Sequence, residues 1–312
     1  MKKNLLVCRS GGRTSEFMYK WLLENKSDEY NIVGIFANTG WEHHKTIEFV
    51  NNNDIDNRKR FGVEPVWVEA VVHDGRVACT HKQVTYETAS RDMEPFVEVV
   101  KKYGLPNAAY PHCTRELKEN PIHDYVENVL GWSNTKQGKS IKKVNPINGN
   151  QVITFFGGYN TALGIRIDEP KRLNESNTPQ NKVYPLASWN EDKPDKLDIL
   201  DWWEDYHFDL GIPEHLGNCV GCFRKSERKC MKAYRDAPGQ FYNTIEKDYG
   251  HIGSNKINGV HSELPRTMYR KYNTCMDIIQ MFHEADTRWL SKGDTEEVNE
   301  GCASSCEPFA GG

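Results

Sequence analysis

NLLVCRSGGRTSEFMYKWLLENK, residues 4–26, passes from a short apolar run (Leu5, Leu6, Val7, Cys8) to Phe17, Met18, Trp21 and Leu22, which recur at helical spacing. The first pattern predicts a buried strand and the second an amphipathic helix. The hexapeptide between them, SGGRTS from Ser10 to Ser15, therefore joins strand to helix. A loop in that position presents backbone N–H groups at the positive end of a helix dipole, and glycines let an anion approach them closely. Ser10, Thr14 and Ser15 add hydroxyl groups. The pattern is not the phosphate loop GxxxxGK[ST], since no lysine follows the second glycine, and it is not the dinucleotide fingerprint GxGxxG. Taken alone, the hexapeptide reads equally well as a turn without a ligand.

The surrounding sequence bears on that choice. A second apolar run, NIVGIF (Asn31 to Phe36), leads into ANTGWEHHKTIEFV, and a third, VEPVWVEAVV (Val63 to Val72), follows the helical face begun by Thr46, Ile47 and Val50. Strands alternating with helices predict an α/β fold with a doubly wound, mostly parallel sheet. Ligands of such sheets lie at the carboxyl ends of the strands. SGGRTS and ANTG would then line one crevice. Asn38 and Thr39 are also ordinary turn residues, but their place after the second strand favours ligand contact.

Further along, residues 73–105 are mostly polar, and a helix begins near Pro121, a favoured first-turn residue. The stretch from Ser133 to Gln151 is a polar, basic loop or hairpin. VITFFGGYNTALGIRIDEPKRL supplies a strand with a charged exit, and DKLDILDWWEDYHFDL fits a helix burying Leu197, Leu200 and Trp203, or Trp202 and Tyr206. These patterns divide the chain into an α/β domain over 1–210 and a cysteine-bearing extension over 211–312.

The 312 residues include 40 basic and 44 acidic side chains, a formal net charge of -4, so the total charge gives no argument for a polyanion partner. Lys139, Lys142 and Lys143 offer a local basic patch, although charge runs are generally solvated. No apolar run is long enough to span a membrane or to serve as a signal peptide, which predicts a cytoplasmic protein. In that compartment the nine cysteines do not form a disulfide framework. Cys8, Cys79 and Cys275 read as small buried apolar residues. Cys219 and Cys222 form a CxxC, Cys302 and Cys306 a CxxxC, and Cys113 sits in YPHCTRELK. Two thiolates on one turn can reach one metal or one cluster edge, so zinc, iron–sulfur and redox readings all stand. Cys113 offers a third ligand and Cys230, Cys302 or Cys306 a fourth; Cys230 is the weakest, because RKSERKC reads as a helix leaving the turn.

SGGRTS, ANTG, CTRELKENPI, GIRIDEPKR, YPLASWNEDK and CVGCFRKS, in this order, resemble the phosphoadenosine phosphosulfate (PAPS) reductase family, over roughly residues 4 to 230. That family has the adenine nucleotide α-hydrolase fold, shared with the N-type ATP pyrophosphatases. The resemblance implies that Ser10, Gly11, Gly12, Arg13, Thr14 and Ser15 form a pyrophosphate loop, with Asn38, Thr39 and Gly40 beside the nucleotide. It also implies that Arg115 and Lys118 face the phosphate or sulfate end, and that Gly164 and Arg166 match a nucleotide-contacting Gly-x-Arg with Lys171 and Arg172 adding charge. Such cations suit a transition state that gathers negative charge on phosphoryl oxygens.

The departures narrow the expectation. The paired glycines are typical of enzymes that split ATP between its α and β phosphates, and GCASSCEPF stands where sulfonucleotide reductases carry ECGLH. The mixture looks more like branches that thiolate tRNA bases or place sulfur in the DNA backbone. By the resemblance, the substrate is ATP, with Mg²⁺, or an adenylyl sulfate. Cys113, Cys219, Cys222 and Cys306 would hold a [4Fe–4S] cluster, and Cys302 would be a nucleophile. A thioredoxin-like reductant or sulfur donor would be a partner, a nucleic acid an acceptor, and a homo-oligomer stays open. A non-catalytic nucleotide-binding subunit is the rival reading, opposed by the intact Arg166 and both tail cysteines. A zinc-stabilised nucleic-acid-binding protein is disfavoured by the net charge.

Overall fold

The structure, a computed structural model, describes residues 2–133, 158–170, 172–173, 181–253, 255–257 and 260–291. The chain opens with strand β1 (Lys3–Arg9), helix α1 (Arg13–Asn25), β2 (Tyr30–Asn38), α2 (His44–Phe61) and β3 (Val66–Val71). Then follow β4 (Thr80–Val84), α3 (Glu94–Tyr103), a π-helical turn over Arg115–Glu119, α4 (Asn120–Asn128), β5 (Tyr159–Ala162) and β6 (Lys182–Val183). The remaining elements are α5 (Pro185–Ser188), α6 (Lys196–Glu204), α7 (Glu227–Asp236), α8 (Pro238–Phe241), α9 (Ile245–Tyr249), a hairpin of β7 (Asn255–Ile257) and β8 (Val260–Ser262), α10 (Cys275–Glu284) and α11 (Thr287–Ser291).

Six strands form one sheet in the order β4-β3-β2-β1-β5-β6, parallel throughout except for the antiparallel β3–β4 pair. The expected α/β architecture with a mostly parallel sheet is thus present. From β1 the chain first builds outward through β2 and β3, then returns to add β5 on the other side of β1. This reversal opens a crevice at the carboxyl ends of β1 and β5, where the hexapeptide lies.

The period of two in β1 supplies both faces of the sheet. Leu5 and Val7 belong to the buried cluster that includes Met18, Tyr19 and Leu22 of α1, while Leu6 and Cys8 join Ile122, Tyr125 and Val126 of α4. The first cluster continues without a break to Val220, Phe241 and Ile278, so no gap in the core marks the expected boundary at residue 210. Trp41 is the hinge between the two parts: it packs edge-on against Phe96 and its indole N–H donates to the Gln240 carbonyl at 2.8 Å.

The structure adds detail to the sequence reading in two places. The polar stretch 73–105 contains β4, whose side chains are mostly outside the core because it is an edge strand, and α3, whose Phe96, Val99 and Val100 are buried at helical spacing behind Pro95. In α6, Ile199 and Trp203 face inward, whereas Leu197 is half exposed. The strand expected at VITFF is represented by Tyr159–Ala162; residues 152–156, the basic loop 136–143, Lys171 and the tail with Cys302 and Cys306 lie outside the described residues.

At the end of β1, Arg9 is fully buried. Its Nε and Nη2 donate to Glu16 of α1, the latter at 2.8 Å, and its Nη1 donates to Asp54 of α2 at 2.6 Å. Trp67 of β3 donates its indole N–H to the other Asp54 oxygen at 2.6 Å. One guanidinium thereby fixes strand, both flanking helices and the next strand relative to each other. Burying ions is costly, and removing one member strands the rest. Glu16→Ala should lower unfolding free energy by about 3–5 kcal/mol, read by urea denaturation, far more than the same change at exposed Glu24.

Candidate functional site

The SGGRTS loop turns on Gly11, at φ +76°. A Cβ there would stand 2.8 Å from Thr46 Cγ2 and 3.1 Å from Val50 Cγ2, so both the backbone and the packing on α2 require glycine. Gly12 has an ordinary φ of -93° and caps α1, with no side chain bonded to the first-turn N–H groups. A Cβ at Gly12 would meet only Ser10 Oγ, at 3.6 Å. Ser15 Oγ accepts from the Ser10 N–H at 3.1 Å and from Ser10 Oγ at 3.0 Å, and donates to the Gly12 carbonyl at 3.0 Å. These two serines therefore hold the loop in shape. Arg13 forms a two-toothed pair with Asp209, at 2.6 Å through Nε, and its carbonyl accepts from the Trp203 indole at 3.0 Å. Of the residues expected to bind nucleotide, Arg13 is thus engaged in docking the 208–212 segment onto the loop.

Arg166 arrives from the exit of β5. Its Nη1 donates to Thr14 Oγ1 at 3.2 Å, across 152 positions of sequence. Asp168 holds the same guanidinium at 2.8 and 3.0 Å, and Glu169 lies 3.5 Å from Nη1. Arg172 pairs with Glu169, which extends the bracket, and Gly164 is buried at its base. The glycine loop and the Gly-x-Arg exit of β5 thus meet at the switch point of the sheet.

The ANTG segment behaves differently. Asn38 is fully buried; its amide donates to Glu69 at 2.7 Å and to the Ser90 carbonyl at 2.8 Å, and accepts from the Gly40 N–H at 3.1 Å. Gly40 in turn accepts from the Met93 N–H at 3.0 Å. Both residues shape the turn through these bonds. Thr39 Oγ1 lies 2.9 and 2.8 Å from the two oxygens of Glu42 and 3.3 Å from Cys219 Sγ. Glu42, to which the sequence reading gave no role, bridges to Cys219 in antiparallel fashion, and the Val220 N–H donates to the Trp41 carbonyl at 2.9 Å.

Through these contacts the CxxC is carried to the end of β2. Cys219 and Cys222 line an apolar-walled cavity of about 20 Å³ with Cys113, Thr39, Trp41 and Lys118. Cys219 and Cys222, paired by their spacing, therefore share one cavity with Cys113, and Lys118 joins them. Among the described residues no three His, Cys, Asp or Glu side chains are placed to hold a metal ion, so the sulfurs share a cavity without a common ligand point. Three thiols are donors of the kind that soft metals and iron–sulfur clusters take, but a cavity of this size would have to open to admit a cluster. Arg115 does not line this cavity; its side chain is 58% exposed and bonds Glu116 at 2.8 Å. Cys230 is packed in the core, where burial pushes its thiol up to about 12, and it does not line this cavity. Cys8, Cys79 and Cys275 are buried, as their isolation in sequence suggests. Burial, then Glu116, pushes Cys79 up to about 12.

Gly221, between the two cysteines of the turn, lies flat on Trp41: a Cβ would stand 2.2 Å from the ring. Gly221→Ala should therefore displace the CxxC from Trp41. The expected result is a shift in the tryptophan emission spectrum and a loss of stability of about 1–3 kcal/mol, against little change for Ala at Gly239, where a Cβ meets open space.

Three comparisons place the chain among known proteins. No family model matches it, and no solved structure matches it. A curated relative, printed as "Uncharacterized nin region protein ORF290" of Escherichia phage lambda, is 31% identical over 318 aligned positions, which cover 98% of this chain and 95% of the relative. With that identity along nearly the whole of both chains, the protein belongs to the family of the phage lambda nin region protein ORF290.

Proposed function

We propose that the protein binds an adenine nucleotide at the Ser10–Ser15 loop and uses it for sulfur transfer, as a PAPS reductase-like enzyme. The observation that carries this reading is the 3.2 Å contact between Arg166 and Thr14, which joins the glycine loop and the Gly-x-Arg exit of β5 at the switch point.

In this reading the first-turn N–H groups of α1 and the hydroxyl of Thr14 orient the phosphate chain. Arg166, fixed in plane by Asp168, stabilises the charge that develops on the departing phosphoryl oxygens. With ATP, an oxygen of the acceptor attacks the α phosphorus and pyrophosphate, with its Mg²⁺, leaves; a sulfur nucleophile then displaces AMP. With an adenylyl sulfate, a thiolate attacks the sulfur, the nucleotide leaves, and a thioredoxin-like dithiol releases sulfite from the resulting thiosulfonate. The loop glycines favour the first form, and a tRNA or DNA acceptor is its corollary. Cys113, Cys219 and Cys222 would hold a [4Fe–4S] cluster, which when bound would supply a site for the sulfur being moved. Lys118, on the same cavity, adds a cation beside the thiols.

Protein purified without oxygen, incubated in parallel with labelled ATP and with phosphoadenylyl sulfate, should release pyrophosphate from the first; sulfite from the second would select the reductase form, and neither product would leave only nucleotide binding. Arg166→Ala should lower turnover by about 10²–10³-fold while changing nucleotide affinity by less than about tenfold. Equal losses in both would make Arg166 a binding residue alone. Gly12→Val should keep the melting temperature within about 2 °C, because its Cβ site is open, yet weaken ATP binding at least about tenfold in calorimetry.

A further inference from the structure

Helix α6 carries charge that the fold leaves unmatched. Residues 191–209 hold eight carboxylates and two lysines. Three of those carboxylates, Asp201 and Glu204 in the last turn of α6 and Asp205 just after it, are exposed, and their side chains make no hydrogen bond or ion pair with any described residue. No basic residue lies in that turn. Carboxylates at a helix C-terminus face the negative end of its dipole, so their placement weakens the helix that carries them.

Beside them opens a cavity of about 420 Å³. Leu200, Trp203 and Phe208 give it apolar walls, and Arg13, Glu204 and Asp209 carry its charge. Arg13 and Asp209 cancel each other in their two-toothed pair. Lys20, which lies over the rings of Tyr206 and Phe208, and Arg60 are matched by Asp56 and Glu24. The charge left over at the cavity is that of Glu204, continued along the helix by Asp201 and Asp205.

Apolar walls below a lone carboxylate suit a long cationic side chain, whose methylenes pack inside while its head reaches the rim. A small amine would meet Glu204 alone. Carboxylates repeated over the end of the helix are matched by several cations in one chain, and the same charge turns polyanions away from this face.

We propose that the α6 cavity is a docking site for a basic segment of a partner protein, with one arginine or lysine seated against Glu204 and its neighbouring cations on Asp201 and Asp205. The site needs no ligand at the glycine loop, so it stands apart from the nucleotide reading.

The probe is tetra-arginine with blocked termini, titrated into the full chain by calorimetry at low salt, without nucleotide, and at pH 8, where histidines are uncharged. Its control is the tetra-citrulline peptide, which has the same shape and no charge. The arginine peptide should bind at least about tenfold more tightly than the control and lose affinity as salt rises. Glu204→Gln should weaken it at least about threefold, whereas Asp28→Asn, the same charge change just past the far end of α1, should not. Glu204→Gln should also leave the melting temperature unchanged or raise it, because a carboxylate that served the helix would lower it when lost. Leu200→Trp, which fills the cavity at constant charge, should weaken binding at least about fivefold; if that variant does not fold, Glu204→Gln against Asp28→Asn decides the matter. Equal affinity for the two peptides, or equal losses in Glu204→Gln and Asp28→Asn, overturns the proposal. Ethylguanidinium binding as tightly as the peptide assigns the cavity to a small amine and overturns it too. Absence of ATP binding in a separate titration would end the nucleotide reading and leave this one standing.

Discussion

The buried guanidinium of Arg9 is the constraint on which the crevice depends. It sits at the last residue of β1, one position before the loop, and its bonds to Glu16 and Asp54 fix where α1 and α2 stand when the chain leaves the sheet. The loop has no freedom to choose its course: its two ends are set by Arg9 on one side and by the Arg13–Asp209 pair on the other, only four residues apart. Gly11 must then take a left-handed turn against Thr46 and Val50. An ion cluster that contributes little net stability can still specify a single geometry, and here the geometry is that of an open helix N-terminus at a switch point.

The second half of the site is brought in by different physics. The CxxC belongs to a helical region far along the chain, and it reaches the sheet through backbone pairing with the segment after β2 and through the flat contact of Gly221 on Trp41. The resulting cavity is lined by a threonine hydroxyl, a lysine and three thiols, with the buried Glu42 carboxylate bonded to that threonine. The glycine loop and the cysteine cavity are thus two products of one sheet edge, the first built by β1 and β5, the second by β2 and the π-helical turn.

Much of this was legible in the sequence where local patterns carry the information. The apolar runs at Leu5–Cys8 and Asn31–Phe36, the strand-to-helix place of SGGRTS and the spacing of Cys219 and Cys222 each point to elements that are present. Pairings between distant residues were not legible. Asn38 looks like a ligand-facing turn residue until Glu69 and Ser90 are seen to occupy its amide, and Arg13 looks like a phosphate contact until Asp209 is seen beside it. Lys225 reads as one of many surface lysines, since nothing local announces three carbonyls around it. Strand β4 was hidden because an edge strand needs no alternating apolar face, whereas α3 carried a readable signal in Pro95, Phe96, Val99 and Val100.

The two arginines at the loop differ in how far water reaches them. The Arg13 and Asp209 side chains keep 22% and 32% of their exposure; in the second pair Arg166 keeps 11% but its partner Asp168 keeps 36%. Dissolved ions therefore screen both pairs through their carboxylates, whereas the bond from Arg166 to the uncharged Thr14 hydroxyl has no second charge to screen. Rising ionic strength slackens the clasp between the loop and the 208–212 segment, which rests on charge alone, more than it loosens the guanidinium over Thr14. The freedom of the loop's outer side and the link between β1 and β5 are thus set by separate parts of the molecule.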